Sequence, residues 1–552
     1  MNYKIEKVRN LLKDKSRFYI IQNKKFVYIY DSFAHKIRIL TKHLYQIITN
    51  QSFQCNTRIL ESEKKYFEKI IDTIISQKEK SISGTKTEQK KFIVNLNTSH
   101  RCNLNCSYCY KNKNNRIIAT NDHLRKAINF IIHDYAPNAN EYVFSYSMTS
   151  ESSVDIDILK AIKAYYVDFE DYTFKKSDIK DYKELSEKLR IYYPDISVSS
   201  EESLIVKLNN LLEKKSLFEE LKLDEKMFNS EMIHEIHVKT QLARWKLIRL
   251  NRKCFEIRFP ELITKRIIPP VGFSFFTNGT NASMEYISLL KELDIKGIAI
   301  SFDGKQRNHD YNRFFHNGKG SYDVIRKNLK VFRENDISVS AASVLNVKNY
   351  KPLQIVYETK RLGFKSCTMT VVHSGTSVSF NLKSVKKLLS GYDELFRKLK
   401  YDALKNKFDL YKFLKNDRCF FPLKAFLDSM KIIDHCPIDE NIIIDTNGKI
   451  YNCLYFCCSE LFPIGTINSG ITNRQKFQLT VFEREMCKNC WSKYLCGGTC
   501  YYDSFKENAD ISKPAQIECI INKHLAIKTL ELIIFFYQKK IPFSTFIRIF
   551  RG

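Results

Sequence analysis

The sequence predicts an α/β protein whose core is a parallel sheet closed or curled into a barrel. From residue 92 onward, apolar strand-like segments alternate with helical stretches, a repetition that is typical of parallel sheets. Six such units are fewer than the eight of a complete barrel, so we expect a partial, TIM-like (β/α)6 barrel within residues 91–400. The predicted strands cover 92–97, 142–148, 272–276, 297–302, 337–345 and 367–372, and the predicted helices lie near 122–135, 155–166, 283–293, 321–334 and 350–361.

Polar or small residues follow several of these predicted strands. Glu151 comes after the second strand, Asn278 and Gly279 after the third, and Asp303 after the fourth. In parallel barrels the carboxyl ends of the strands carry the chemistry. We therefore expect the functional site at this edge of the sheet.

Residues 1–90 predict a separate small module. Short β-prone runs at 18–21, 26–30 and 36–40 precede helical patterns at 42–48 and 62–75, and the polar stretch 77–91 is typical of a linker. This order resembles the winged-helix-like element that recognises leader peptides on peptide-modifying enzymes. A plain N-terminal α/β cap fits the same pattern, and both interpretations stay open.

The interval between the second and third predicted strands is far longer than one helical connection requires. Its excess, about residues 168–262, is charged and helix-prone at 201–214 and 231–250. Because a structureless loop of this length would be unusual, we expect an inserted helical subdomain. It could be a lid, a substrate-docking surface or an insertion with no direct role.

Composition restricts the class of protein. The chain has 552 residues, 44% of them hydrophobic, without a long apolar run or a signal-peptide pattern at its start, so we expect a folded cytoplasmic protein with no membrane span. Its 16 cysteines then favour metal binding over disulfides. The net charge of +29 favours an acidic partner. The basic residues are spread along the chain rather than clustered, so we do not expect nucleic acid to be that partner.

A three-cysteine motif is the most informative feature. Cys102, Cys106 and Cys109 are spaced Cys-x3-Cys-x2-Cys directly after the first predicted barrel strand, and Tyr108 precedes the third cysteine. Three thiolates leave one iron of a [4Fe–4S] cluster open, whereas zinc sites usually take four ligands. The motif resembles the signature of radical S-adenosylmethionine (SAM) enzymes. That resemblance implies the partial barrel, a [4Fe–4S] cluster whose open iron binds SAM, and cleavage of SAM to a 5′-deoxyadenosyl radical.

A second cysteine set follows the barrel in residues 401–525. It resembles the SPASM domain, which carries two auxiliary [4Fe–4S] clusters on a subset of radical SAM enzymes; the matching residues are Cys436, Gly448, Cys453, Cys487, Cys490, Cys496, Cys500 and Cys519. The resemblance implies a distal cluster on Cys487, Cys490, Cys496 and Cys519, and a nearer cluster on Cys436, Cys453 and Cys500. Residues 526–552 predict a helical C-terminal tail.

The fourth ligand of the nearer cluster is open at this point. Cys419 is the candidate, although it lies well before the first cysteine of the pattern. Cys457 and Cys458 are alternatives. If none of them binds, a substrate thiolate could coordinate the open iron.

The same resemblance implies which residues contact SAM. The family places a Gly-Gly-Glu-Pro segment after the second strand, and here only Glu151 of that segment is kept, as a partner for the SAM ammonium group. Ser301 matches the ribose-contacting region, Asn278 lies at a neighbouring strand end, and Val344 is placed to pack on adenine. With Tyr108, these residues form the predicted cofactor site; no catalytic residue is assigned.

SPASM enzymes mostly modify genetically encoded peptides or proteins. The resemblance therefore implies a maturase that crosslinks a ribosomally made precursor peptide through a thioether or carbon–carbon bond, with a flavodoxin or ferredoxin as electron donor. A sulfatase-maturating enzyme and a peptide epimerase are the alternatives. Sulfatase maturases have an Asp after the cysteine equivalent to Cys453, where this chain has Leu454, which disfavours that alternative.

Overall fold

The structure of the chain is a computed structural model. It describes residues 2–49, 61–76, 92–97, 99–110, 118–135, 142–146, 151–157, 160, 173–196, 198–214, 217–221, 241–263, 271–293, 295, 297–434, 436, 441–473 and 479–551.

The N-terminal module contains a three-stranded antiparallel sheet and three helices. In chain order the elements are α1 (Asn2–Leu12), β1 (Phe18–Gln22), β2 (Phe26–Asp31), β3 (Lys36–Thr41), α2 (Lys42–Thr49) and α3 (Glu61–Ser76). Their apolar faces enclose a separate small core that includes Val8, Val27, Ile29, Ile48 and Ile71. Every predicted strand and helix of this module is present, whereas the predicted linker 77–91 lies outside the described residues. The winged-helix-like assignment stays a prediction.

Six parallel strands in chain order form one side of the main sheet, and the last of them is its edge strand. They are β4 (Phe92–Leu96), β5 (Tyr142–Tyr146), β6 (Val271–Thr277), β7 (Gly297–Ser301), β8 (Ser338–Leu345) and β9 (Cys367–Val371). All six predicted strands are therefore confirmed within one or two residues where they are described. In the described strands β9 pairs only with β8, so the sheet is not a closed ring. Its curvature into a partial barrel stays a prediction.

Helices connect these strands and cover the sheet. They are α4 (Asn121–Asn129), α9 (Met284–Glu292), α10 (Gln306–Asn312), α11 (Tyr322–Glu334) and α12 (Pro352–Arg361). Helix α4 continues as a π-helical segment, Phe130–Tyr135. The helices α5 to α8 belong to the insertion between β5 and β6 and are described with it. Local chemistry fixes their starts: the Thr120 and Ser283 side chains accept hydrogen bonds from the first turns of α4 and α9. Most of the predicted helix at 155–166 lies outside the described residues.

The insertion between β5 and β6 is helical and has its own hydrophobic core. It contains α5 (Tyr182–Arg190), α6 (Glu201–Leu211), α7 (Leu217–Glu220) and α8 (Gln241–Arg258). Leu185, Leu204, Leu208 and Phe255 are fully buried in this core, and so is Arg252, which pairs with Asp178 and Glu256. The described residues of this segment thus share one hydrophobic core, whereas its standing as a separate subdomain and its role stay predictions.

The C-terminal region extends the central sheet. Its elements are α13 (Val385–Leu404), α14 (Asp409–Phe413), α15 (Phe421–Leu427), β10 (Asn441–Ile444), β11 (Lys449–Tyr451), α16 (Leu454–Cys458), β12 (Gly465–Thr466), β13 (Gly470–Ile471), α17 (Glu485–Lys488), α18 (Lys493–Cys496), α19 (Tyr501–Asn508), α20 (Gln516–Gln538) and α21 (Phe543–Arg551). Strand β10 lies parallel to β4, and β11 to β13 continue the sheet in antiparallel order.

Two predicted domain boundaries fall inside helices. The boundary at 400/401 lies within α13, and the one at 525/526 lies within α20. Leu525, Leu532 and Phe536 of α20 belong to the main hydrophobic core, so this helix is not a peripheral tail.

None of the helices in the described parts is long and apolar enough to cross a membrane.

Candidate active site

The cysteines of the first motif lie at the carboxyl edge of the parallel strands. All three line one cavity of about 530 Å³. The five residues predicted to contact SAM line the same cavity: Tyr108, Glu151, Asn278, Ser301 and Val344. Four of these come from the ends of the neighbouring strands β5 to β8, where a parallel sheet brings its carboxyl ends together. The structure therefore gathers the predicted cluster site and the predicted SAM site into one place.

Backbone hydrogen bonds hold the cysteine loop against the segment that follows α10. The Asn105 N–H donates to the Phe314 carbonyl at 2.7 Å, and the Ser107 N–H donates to the Asn312 carbonyl at 2.9 Å. A loop that carries metal ligands needs such external support because it has no regular structure of its own. The position of the three thiols is thus set by a segment distant in sequence.

Glu151 and Asn278 connect the ends of β5 and β6 to this loop. Glu151 is buried and accepts hydrogen bonds from the Asn278 N–H at 2.6 Å and from the Thr277 hydroxyl. The Asn278 side-chain amide donates to Asn103 Oδ1 at 2.7 Å and lies 3.8 Å from Cys102 Sγ. Glu151 therefore has a structural role that the sequence did not predict, in addition to facing the cavity.

Tyr108 belongs to a buried charged cluster. Its hydroxyl donates to Asp303 Oδ2 at 2.5 Å, and Arg313 Nε donates to the same oxygen at 3.0 Å. Asp303 Oδ1 accepts from the Val344 N–H at 2.8 Å. Burial opposes the charge on Arg313, but the attraction of Asp303 outweighs it and raises the pKa of the guanidinium. This cluster joins the cysteine loop to β7 and β8, and it explains why an aromatic residue with a hydroxyl precedes the third cysteine.

The four cysteines predicted to hold the distal cluster also converge. Cys487, Cys490, Cys496 and Cys519 line a small cavity of about 30 Å³. Cys487 lies in α17, Cys496 ends α18 and Cys519 lies in the first turn of α20. Gly497 follows in the left-handed conformation, with φ 71°, and this turns the chain away from α18.

The three cysteines predicted for the nearer cluster line a third cavity. Cys436, Cys453 and Cys500 are among the lining residues of this cavity of about 360 Å³. Cys453 and Cys500 stand directly before α16 and α19, respectively, as the helix N-cap residues.

The remaining fourth-ligand candidates lie elsewhere. Cys419 is fully buried beside Asp417, whose Oδ1 accepts the Cys419 N–H at 2.9 Å. Burial, Asp417 and Cys367 raise the pKa of the Cys419 thiol. Cys457 accepts a hydrogen bond from Asn97 at 3.2 Å. Neither Cys419 nor Cys457 nor Cys458 lines the cavity of the nearer three-cysteine site.

One wall separates the first cavity from the third. The residues that line both are 370–374, which end β9 and continue beyond it, and Tyr455 of α16. His373 stands in this wall, with its ring 3.8 Å from the Tyr455 ring and Nδ1 2.9 Å from Asp503 Oδ2. Sequence analysis missed His373 and Asp503. The rule that found Glu151 and Asn278, polar residues directly after barrel strands, applies equally to His373.

The thiols at these sites have the chemistry of metal ligands. None of the fifteen described cysteines is in a disulfide. Burial raises the pKa of Cys106, Cys436 and Cys496 to about 12, so these thiols stay protonated at neutral pH unless a metal binds them. Groups of three, four and three thiols around separate cavities fit thiolate ligation of iron–sulfur clusters.

Comparison with known proteins gives a curated relative in sequence and solved structures of similar fold. No protein-family model matches the chain. A cysteine-type anaerobic sulfatase-maturating enzyme from Clostridium novyi (strain NT) is 24% identical over 254 residues, which are 42% of this chain and 64% of that protein. The chain therefore spans less than two thirds of the length of this curated relative.

Two solved structures show how far the fold likeness extends. Native anSMEcpe with bound AdoMet and the Kp18Cys peptide has a TM-score of 0.50 and 14% identity, covering 80% of this chain and 98% of that one. For Streptococcus suis SuiB bound to precursor peptide SuiA, the match covers 91% of this chain and 98% of that one, with a TM-score of 0.41 and 10% identity.

The motif, the site and the relatives agree. The three-cysteine loop lies at the carboxyl edge of six parallel strands, two further cysteine groups follow in the predicted pattern, and the curated relative shares sequence with the chain. In sequence the chain is similar to a sulfatase-maturating enzyme, in fold it is similar to anSMEcpe, and its cysteine groups follow the pattern of radical SAM enzymes with a SPASM domain.

Proposed function

We propose that this protein is a radical SAM maturase that oxidatively crosslinks a ribosomally made precursor peptide. The observation that carries the proposal is the shared wall between the cavity of Cys102, Cys106 and Cys109 and the cavity of Cys436, Cys453 and Cys500. A substrate residue at this wall would be close to the SAM site and to an auxiliary cluster at once. An oxidative crosslink needs both, because one hydrogen atom, one further electron and one proton must leave the substrate.

In this proposal the residues of the first cavity bind and orient SAM. Cys102, Cys106 and Cys109 hold the [4Fe–4S] cluster, which when bound supplies the electron that cleaves SAM to the radical that abstracts hydrogen. Glu151 accepts a hydrogen bond from the SAM ammonium group. Asn278, Ser301 and Val344 contact the remainder of SAM: the first two offer polar groups, and Val344 offers an apolar surface.

The auxiliary sites complete the proposed electron path. Cys487, Cys490, Cys496 and Cys519 hold the distal cluster, and Cys436, Cys453 and Cys500 hold the nearer one. A flavodoxin or ferredoxin is the proposed electron donor. The potential of each cluster follows its burial, its net charge and the hydrogen bonds to its sulfurs.

The peptide substrate is proposed to bind through the N-terminal module and the basic surface. The module is fixed to the cysteine-rich region, because Tyr19 stacks on Trp491 with ring centroids 4.0 Å apart and Tyr30 is buried against Leu495 and Leu530. A leader peptide held by this module would therefore have a fixed relation to the distal cysteine site. The net charge of +29 favours an acidic leader.

Sulfatase maturation is the second candidate, and the curated relative from Clostridium novyi favours it. Leu454 disfavours it, since an apolar side chain beside Cys453 cannot take a proton. Mass spectrometry of the product separates the candidates: a crosslink removes two hydrogens, conversion of cysteine to formylglycine removes its sulfur, and epimerisation leaves the mass unchanged.

The test of the enzyme itself uses the full chain with Cys102, Cys106 and Cys109 replaced by Ala. We expect release of 5′-deoxyadenosine to stop while iron remains at the auxiliary sites. Cys254→Ala is the control, because Cys254 is buried in the core of the insertion, away from the three cavities, and this variant should cleave SAM normally. Unchanged 5′-deoxyadenosine release by the triple variant would refute the proposal.

A further inference from the structure

The nearer auxiliary site has three cysteines and needs a fourth ligand if its cluster is to be fully bound by protein. A [4Fe–4S] cluster normally takes four protein ligands. Cys436, Cys453 and Cys500 line the cavity, whereas Cys419, Cys457 and Cys458 do not. In the part of the chain that the structure describes, the candidates for the fourth ligand that line this cavity are therefore residues other than cysteine.

His373 and Asp503 stand beside the third of these cysteines. One ligand atom from each of His373, Cys500 and Asp503 lies within 4.8 Å of the other two, and all three residues line the same cavity. Cys500 caps α19 and Asp503 lies three residues further along, on the same face of the helix. His373 reaches this point from the end of β9.

Asp503 is placed to orient the imidazole. Its Oδ2 lies 2.9 Å from His373 Nδ1, and its Oδ1 accepts the Ser374 N–H at 2.8 Å. Both carboxylate oxygens are thus engaged by residues 373 and 374, so the carboxylate is a poor ligand itself. A carboxylate that binds one imidazole nitrogen is the usual outer partner of a metal-binding histidine, since it fixes the ring and the tautomer. The Tyr455 ring, 3.8 Å from the His373 ring, restricts the remaining motion.

We propose that His373 is the fourth protein ligand of the cluster held by Cys436, Cys453 and Cys500, and that Asp503 is its positioning residue. This inference rests on the proposed auxiliary cluster and specifies its ligand set. Imidazole already replaces thiolate at some iron–sulfur centres, where it raises the reduction potential, because a neutral ligand replaces an anionic one. His373 would make the nearer cluster the better electron acceptor of the two, next to the SAM cavity. It would also leave no iron open for a substrate thiolate.

The experiment uses the full chain with Cys102, Cys106 and Cys109 replaced by Ala, so that only auxiliary clusters remain. The protein is reconstituted and reduced without oxygen, with histidine at natural abundance or labelled with ¹⁵N, and pulsed electron paramagnetic resonance measures nitrogen coupling to the cluster. We expect a strongly coupled nitrogen that changes on labelling and disappears in His373→Ala. His373→Cys should bind as much iron as the parent, without the nitrogen coupling and with a lower potential.

The control is His524→Ala. His524 is also a partly buried histidine beside an aspartate, 3.1 Å from Asp393, but it does not line the cavity, so the coupling should persist. Iron at the distal four-cysteine site shows that each variant is folded. Auxiliary iron without a histidine coupling, or a coupling that persists in His373→Ala, would overturn this inference alone. A parent protein that binds no auxiliary iron would instead overturn the proposed clusters.

Discussion

The buried charge pair behind the cysteine loop gives the sharpest test of the site's architecture. Asp303 is fully buried and receives hydrogen bonds from Tyr108, Arg313 and Val344. Asp303→Asn keeps the size of the side chain, so it creates no cavity. It removes the charge that balances Arg313, which is 7% exposed.

The expected loss of local stability follows from the charge on Arg313 that Asp303→Asn leaves unbalanced. Removal of one partner from a buried ion pair costs about 3–5 kcal/mol, because the other charge remains in a poorly solvating place. Since about 1.4 kcal/mol corresponds to a tenfold change in an equilibrium constant, opening of this region should become roughly 10²- to 10⁴-fold more frequent. The effect should be largest at Asn105 and Ser107, whose amides bind the segment that contains Arg313.

The assay is amide hydrogen exchange followed by mass spectrometry on the metal-free full chain. Peptides that cover 101–110 and 302–315 should exchange faster in Asp303→Asn by the factor given above. Asp323→Asn is the matched control, since Asp323 pairs with Arg326 at 3.2 Å but both side chains are more than half exposed. An exposed pair contributes about 0–1 kcal/mol, so exchange should change by no more than about fivefold. Equal exchange in the two variants would refute the reasoning.

Three further predictions concern other parts of the chain. Burial lowers the pKa of His35 to about 4, whereas a histidine in the unfolded chain titrates near 6.5. The free energy of unfolding should therefore be highest above pH 6.5 and fall by about 3 kcal/mol as the pH drops to 4. His35→Asn, which tolerates the φ of 51°, should flatten this pH dependence in urea unfolding, and an unaltered dependence would count against the role of His35. Gly497→Ala should lose iron from the distal site, because a Cβ there would lie 2.8 Å from the Asp434 carbonyl oxygen at a φ of 71°. Gly318→Ala is the control: its φ is 81°, but open space surrounds it, so this variant should retain the iron. Equal iron contents in the two variants would contradict the steric argument. Cys419→Ala should leave auxiliary iron unchanged, and a loss of iron would show that Cys419 is a ligand after all.

Much of the fold follows from local pattern. The strands of the barrel and of the N-terminal module are apolar or β-prone runs bounded by polar turns, and the predicted strands appear in the structure within one or two residues. The domain boundaries are harder to predict, because buried residues of α13 and α20 belong to one hydrophobic core that also contains residues of the barrel strands. A core that continues from one unit into the next leaves no break in composition where one domain ends.

Local pattern is enough to predict the three-cysteine loop, the strand order and the residues around the first cavity, because ligand spacing within a loop and side chains at parallel strand ends depend on local chain geometry. The candidate ligand beside the nearer cysteine site becomes visible only in three dimensions. His373 lies near Cys500 because the chain beyond β9 passes beside the start of α19, whereas Cys419 is buried next to Asp417 and does not line that cavity. Such a convergence depends on how separate elements pack, and spacing along the chain does not record it.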